Sequence, residues 1–247
     1  MQQRLYVPSF HFNTIKPCYC GSGQSFGACC GTAETEKAPP NNMKIIKNFL
    51  SASECKSFVR YAEKQKREWL TVVDAQKSTK HKRVFKRHES RITQSVNIEK
   101  RRSVANSWFK AACEEHVVKL SKGLPVQWFE EAQLLRYGPG GKYGMHSDAD
   151  HYCHEAKQFY RFIDRDFSML IYLNDEYEGG ALFFKGLNYR YQPRQGDLVI
   201  FPSNHIFSHE SLPIERGNKY ALVSWGAFLG TPRVAQPRSI VPLVKHN

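Results

Sequence analysis

The second half of the chain is a series of short apolar or alternating runs cut by turn residues, and this texture limits the fold to an antiparallel β core. Beyond Pro125 the runs are WFEEAQLLRY, FSMLIYL, ALFFKG, DLVIFP and YALVSWGAF, separated by GPGG, NDEYEGG, PRQGD and ERGN. Glycine, proline, asparagine and aspartate in such clusters supply turn backbone, and strands of this length at this spacing build sandwiches or barrels. The chain has 247 residues, 41% hydrophobic and 13% aromatic. That is enough for one packed core of about 200 residues with a small appendage.

Upstream of the strands the periodicity changes. MKIIKNFL reads as an opening strand, and SASECKSFVRYAEKQ as a helix. Ser51 and Glu54 have capping-box spacing, and Phe58, Tyr61 and Ala62 follow at helical spacing. A second helix is expected from Ser103 to Lys122, with Val104, Trp108, Ala111, Ala112, His116 and Val117 near one face. The expected architecture is mainly β with flanking helices (α+β).

Three parts are expected along the chain: a cysteine-bearing segment over 1–32, a linker over 33–42 and a main domain over 43–247. The linker lies in TAETEKAPPNN, a polar stretch with a Pro-Pro pair and nothing suited to a core. No run of about 18 apolar residues predicts a transmembrane helix. MQQRLYVPSFHFNTIKP lacks a charged-then-apolar leader pattern. A soluble, cytoplasmic protein is therefore expected. Seven cysteines, four of them in one short segment, argue against a secreted disulfide framework.

The formal net charge is +13. Between Lys64 and Arg102 lie thirteen Lys or Arg and four Asp or Glu, so this stretch alone supplies +9. A concentrated basic surface suits an acidic partner, either a protein face or nucleic acid, and also suits plain solubility.

YGMHSDADH contains His146-x-Asp148. On a strand, side chains at i and i+2 share a face, so this imidazole and carboxylate can approach one metal together. His209, just past the run DLVIFP, is the candidate third ligand. Two histidines and a carboxylate form the facial triad that leaves positions open on Fe(II). H-x-D alone is common and usually means a turn aspartate beside a surface histidine. Lys219, ten residues after His209, adds a cation suited to the far carboxylate of a keto acid. His151, His154 and His205 read as rim or core residues, and Arg216 falls in the ERGN turn. Ala149 to Asp166 forms a long charged and aromatic connection of the kind that covers binding sites.

The segment from about Met43 to Phe228 resembles the prolyl-4-hydroxylase-like branch of the Fe(II)/2-oxoglutarate dioxygenases. IIKNFLSASECKSFVRYAE, LLRYGPGGKYGMHSD, LIYLNDEYEGGALFF, PRQGDLVIFPS and HESLPIERGNKYALVSW carry the likeness in order, with about sixty residues from Asp148 to His209. The resemblance implies a double-stranded β-helix (jelly roll), with His146, Asp148 and His209 as iron ligands and catalytic centre. It implies Lys219 as the 2-oxoglutarate anchor, with Tyr137 and Tyr172 hydrogen-bonding the co-substrate. Tyr143 and Trp225 match pocket-lining positions. The implied reaction couples decarboxylation of 2-oxoglutarate by dioxygen to hydroxylation of a substrate C–H bond, with ascorbate as supporting reductant.

Cys18-Tyr-Cys20-GSGQSFGA-Cys29-Cys30 offers four thiolates able to close around one structural Zn(II). A segment so short needs metal to supply its folding free energy. It resembles the SEC-C zinc motif, which implies a docking module for protein or ribosome partners. Disulfides or redox thiols are the other readings of this cluster, and Cys55, Cys113 and Cys153 read as plain thiols. The expected function is hydroxylation of a residue, prolyl by resemblance, in a protein substrate such as a translation or ribosome component. The competing readings are a nucleic-acid or small-molecule oxygenase, and a non-catalytic ribosome- or nucleic-acid-binding protein. The demethylase branch carries paired arginines after its distal histidine, whereas here Arg216 is followed six residues later by Leu222.

Overall fold

The computed structural model describes residues 6–7, 17–18, 23–25, 28–29, 38–73 and 84–244. Two antiparallel sheets face each other in a jelly-roll arrangement. The larger has nine strands, seven of them in the order Lys44–Ile46, Leu198–Pro202, Phe167–Tyr172, Lys219–Phe228, Gln133–Tyr137, Gln94–Val96 and Arg67–Trp69. Val126–Glu130 pairs with the end of Lys219–Phe228, and Ile240–Pro242 pairs with Val126–Glu130. The smaller sheet runs Tyr189–Tyr191, Leu182–Phe184, His209–Ser211, Lys142–His146 and Arg91–Ile92.

The larger sheet is covered on both faces, which is why its strands are almost continuously apolar. Alternation sorts their side chains. Phe167, Met169 and Ile171 join Leu134, Leu198, Ile200 and Leu222 in the cluster beneath the helices. Tyr172, Val199, Phe201 and Ala221 belong to the cluster between the sheets. The strand period of two thus gives each strand one structural and one functional face.

Helix α1, Ala52–Glu63, begins at the expected capping box: Ser51 accepts from the Glu54 N–H, and Glu54 accepts from the Ser51 N–H. Phe58 and Ala62 are buried against the sheet. Helix α2, Arg102–Ala112, continues through a π turn, Cys113–Val117, into Val118–Leu120. Its buried face is Ala105, Phe109, Ala112, Cys113 and Val117. The expected face was therefore one residue out of phase in the first turns: Val104 is 42% exposed. Small Ala105 and Ala112 let the helix approach the sheet and seat Phe109, with Trp108 at the edge against Phe58. Fully burying a side chain such as Phe58 or Phe109 contributes about 2–3 kcal/mol.

The connection expected to cover the site is a hairpin, Asp150–Cys153 with Gln158–Arg161, and Tyr6–Val7 adds a third strand to it. The opening strand is short, Lys44–Ile46. At the end of the expected linker Pro40 is buried, and its carbonyl accepts from the Met43 N–H. This part of the linker enters packing, contrary to expectation, because the chain must turn there into the Lys44–Ile46 strand. Residues 32–37 lie outside the described residues. So do Cys20 and Cys30, while Cys18 is buried and Cys29 half-buried. No helix among the described residues is long and apolar enough to cross a membrane.

Candidate active site

Between the sheets lies a cavity of about 750 Å³. Its lining includes His146, Asp148, His209, Lys219, Tyr137 and Tyr172, the six residues singled out from sequence, and also Tyr143 and Trp225. Two neighbouring strands of the smaller sheet bring the histidines together: His146 and His209 are direct cross-strand partners beside an irregularity in register after Tyr143. Asp148 follows the end of its strand. The potential ligand atoms of His146, Asp148 and His209 lie within 4.8 Å of one another. His146 Nε2 stands 3.6 Å from Asp148 Oδ1, and His209 Nε2 stands 3.9 Å from Asp148 Oδ2.

Each imidazole is oriented by its other nitrogen. His146 Nδ1 lies 2.9 Å from the Gly144 carbonyl and His209 Nδ1 lies 3.0 Å from the Phe207 carbonyl. A carbonyl only accepts, so both Nδ1 atoms carry the proton and both Nε2 lone pairs turn inward, as metal binding requires. Burial, reinforced by neighbouring His209, pushes the His146 imidazole down to about 3, so it is neutral at physiological pH. Burial alone would raise the Asp148 carboxyl. His209, His146, Arg165 and the Ser168 hydroxyl outweigh that and hold it below its usual range. Ser168 Oγ donates to Asp148 Oδ2 at 2.7 Å and lies 2.7 Å from Ser203 Oγ.

Lys219 projects from the facing sheet and is 2% exposed. Its Nζ donates to the Gly180 carbonyl at 2.8 Å and to Ser211 Oγ, and it lies 4.5 Å from the centre of the Tyr137 ring. Both acceptors are neutral, and among the described residues Lys219 forms no ion pair. Burial brings its ammonium down to about 7. An unpaired buried cation is costly, and an anion entering the cavity removes the cost. Gly180 has φ +65°, where glycine is favoured, and a Cβ there would meet Ile214 Cδ1 at 2.3 Å. Burial raises the Tyr137 phenol to about 12 and the Tyr172 phenol well above its usual value, so both are protonated donors.

Tyr143 stacks on His146 with ring centres 3.7 Å apart, and the Arg91 guanidinium lies over Tyr143. Arg165 lies 3.8 Å over Trp225, pairs bidentately with Glu130 and donates to the Asp148 carbonyl. Arg91, Arg165, Ser168 and Ser203 were not singled out from sequence. Ser168 had a signal in its parity with Tyr172 on one strand, whereas the other contacts join segments distant in the chain. His205 bonds Asp150 instead of joining the triad, and His151 and His154 are exposed. Arg216 is exposed and pairs with Glu178, away from the cavity, which leaves Lys219 as the buried cation at the site.

Residues 132–226 match the 2OG-Fe(II) oxygenase superfamily. A protein of Acanthamoeba polyphaga mimivirus, provisionally named prolyl 4-hydroxylase, is 26% identical over 199 residues, covering 76% of this chain and 74% of that one. Prolyl 4-hydroxylase 13 of Arabidopsis thaliana is 31% identical over 137 residues, and the chain spans about half its length (48%, from 47% of this chain). The crystal structure of a viral collagen prolyl hydroxylase from Paramecium Bursaria Chlorella virus-1, complexed with 2OG, superposes with TM-score 0.51 at 20% identity. That match covers 81% of this chain and 99% of the other, and speaks for the fold. On the superfamily match, the relatives and the converging His-Asp-His group, the chain is a prolyl 4-hydroxylase-like 2-oxoglutarate-dependent dioxygenase.

Proposed function

We propose that this enzyme hydroxylates a prolyl residue of a protein substrate, with Fe(II) held by His146, Asp148 and His209 and 2-oxoglutarate anchored by Lys219. The observation that carries the reading is the buried Lys219, which has no acidic partner among the described residues, in the same cavity as a triad of inward-facing donors. The donor set fits Fe(II), being two imidazoles and one carboxylate without thiolate. Ser211, which holds Lys219 Nζ, lies two residues beyond His209 on one strand. That step is about 7 Å, so a short dicarboxylate can reach from triad to ammonium. When bound, Fe(II) and 2-oxoglutarate would supply the oxidative chemistry with dioxygen as oxidant, one of its oxygen atoms ending in succinate and the other in the substrate hydroxyl as carbon dioxide leaves.

The chain's own residues bind, orient and exclude water. Lys219 and the protonated Tyr137 and Tyr172 offer donors to the co-substrate carboxylates. Ser168 fixes Asp148, and the Asp150–Arg161 hairpin walls the cavity. Relatives named for prolyl hydroxylation support the choice of target residue. The basic stretch supports an acidic protein partner, such as a ribosomal protein or translation factor. Leu70 and Arg91 from that stretch line the cavity, and Arg87 lies over Trp69, the residue before Leu70. The four-cysteine spacing supports a structural zinc site and a docking role for the N-terminal segment. Unpaired Cys55, Cys113 and Cys153 suit a reducing cytoplasm.

The test is a mass comparison of ribosomal proteins and translation factors from cells lacking the enzyme. These are incubated with wild type or Asp148→Ala plus Fe(II), 2-oxoglutarate and ascorbate. One protein gaining a single oxygen at a proline, with wild type alone, is the expected result. Consumption of 2-oxoglutarate with no protein gaining mass would move the substrate to nucleic acid or a small molecule. Anaerobic Fe(II) with 2-oxoglutarate should also give a visible charge-transfer band that His146→Ala loses.

A further inference from the structure

We propose that Asp150 and His205 are a positioning pair that joins the hairpin over the cavity and the turn carrying His209 into one mechanical unit. The inference rests on the reading of His146, Asp148 and His209 as the metal triad. Asp150 is the first residue of the hairpin, two past Asp148; His205 is four residues before His209. Both are buried. One oxygen, Asp150 Oδ2, accepts from the His205 backbone N–H at 2.8 Å and lies 2.8 Å from His205 Nδ1. A carboxylate accepts, so Nδ1 carries the proton and donates. The two hydrogen bonds to one buried carboxylate oxygen are charge-assisted and poorly screened.

The face of the imidazole reaches the hairpin's returning strand. His205 stacks on Phe159 with ring centres 4.2 Å apart and planes 12° from parallel. Phe159 pairs across the hairpin with Tyr152. Around this contact the two ligand-bearing segments are joined again. Ala149 N donates to the Ser203 carbonyl at 2.9 Å, and Ser147 Oγ donates to the same carbonyl at 3.1 Å. Ser203 Oγ continues through Ser168 to Asp148.

Neither Asp150 nor His205 belongs to the converging donor group. Their geometry does something else: movement of the hairpin pulls on Asp150 and through it on the turn that ends at His209. Asp150, His151, Tyr152 and Phe159 also line the cavity. A macromolecule seated against the hairpin therefore acts on the spacing of the triad, and a filled triad acts on the hairpin.

Two complementary variants of the full chain separate the pair's hydrogen bonds from its ring packing. His205→Asn keeps a side-chain donor near the Nδ1 position and loses the stack. His205→Phe keeps the stack and loses the side-chain donor. Fe(II) affinity is measured by anaerobic titration, and backbone hydrogen exchange is followed at 149–161 and 203–209 in metal-free protein. The Asn variant should bind Fe(II) within about threefold of wild type while its hairpin exchanges faster. The Phe variant should lose about tenfold or more in Fe(II) affinity, the scale seen when outer partners of metal ligands are removed. It should also exchange faster at 203–209. Wild-type Fe(II) affinity in the Phe variant, or identical behaviour of the two, would overturn the proposal. Should the Phe variant fail to fold, a tenfold loss in the Asn variant overturns it and retained affinity supports it. A wild-type protein that binds no Fe(II) defeats the metal reading itself, a different outcome, and the exchange data then judge the mechanical link alone.

Discussion

Lys219 places a positive charge where the fold tolerates it least, and this cost can be measured. In the folded, ligand-free protein burial brings its ammonium from 10.5 to about 7. Between those values the unfolded chain binds the proton and the folded chain does not. Stability therefore rises with pH across this window, and the penalty is present in full below about 7. Lys219→Met should stabilise the metal-free protein near pH 6.5 by roughly 1–4 kcal/mol, the scale for replacing buried charge by apolar volume. The advantage should fade toward pH 10. The same variant should lose the charge-transfer band with Fe(II) and 2-oxoglutarate. Urea unfolding at the two pH values checks the first part, and equal effects at both would show that the ammonium is not under strain. At this scale much of the site was legible. His146, Asp148, His209, Lys219, Tyr137 and Tyr172 all reach one cavity. Their chemistry is carried by residue type and order along the chain. Ser203, Arg165 and the Asp150–His205 pair were not legible as parts of the site. They act through contacts between segments that sequence spacing does not bring together.

Among the elements, the strands were easier to read than the second helix. FSMLIY forms Phe167–Tyr172 and its parity divides helix-facing from cavity-facing residues. The first helix began where Ser51 and Glu54 predicted it. The second helix carries apolar residues on adjoining faces, including Val104, Ala105, Trp108 and Phe109. Periodicity alone does not choose between the two phases, and the π turn at Cys113–Val117 breaks the 3.6 repeat. The sheet decides, accepting Phe109 and leaving Val104 outside. Phe109→Ala should cost about 3–5 kcal/mol, whereas Val104→Ala should stay within about 0.5 kcal/mol. Ser51→Ala should cost about 1 kcal/mol through loss of the cap. Urea midpoints of the three variants rank these effects. Comparable losses at Val104 and Phe109 would contradict the observed face.

For the whole molecule, the jelly roll separates two kinds of electrostatics. At the closed depth of the cavity Lys219 is shielded from solvent. Part of the basic stretch that supplies +9 of the +13 net charge reaches the cavity wall at Arg91, and exposed Arg87 lies over Trp69, the residue before cavity-lining Leu70. Salt distinguishes them, because screening acts within about 10 Å at 0.1 M for exposed charges and much less for buried ones. Raising NaCl from about 50 to about 300 mM should raise KM for an acidic protein substrate by roughly tenfold or more, with kcat little changed, through loss of long-range attraction. KM for 2-oxoglutarate should move by less than about twofold, since Lys219, its proposed anchor, is inside. Arg87→Glu should raise KM for the protein substrate at low salt and flatten its salt dependence, leaving 2-oxoglutarate binding as it was. A substrate KM insensitive to salt in wild type would reduce the basic face to a solubilising surface and leave recognition to the apolar residues at the cavity mouth. Among these Met145, Tyr152 and Phe162 stand exposed.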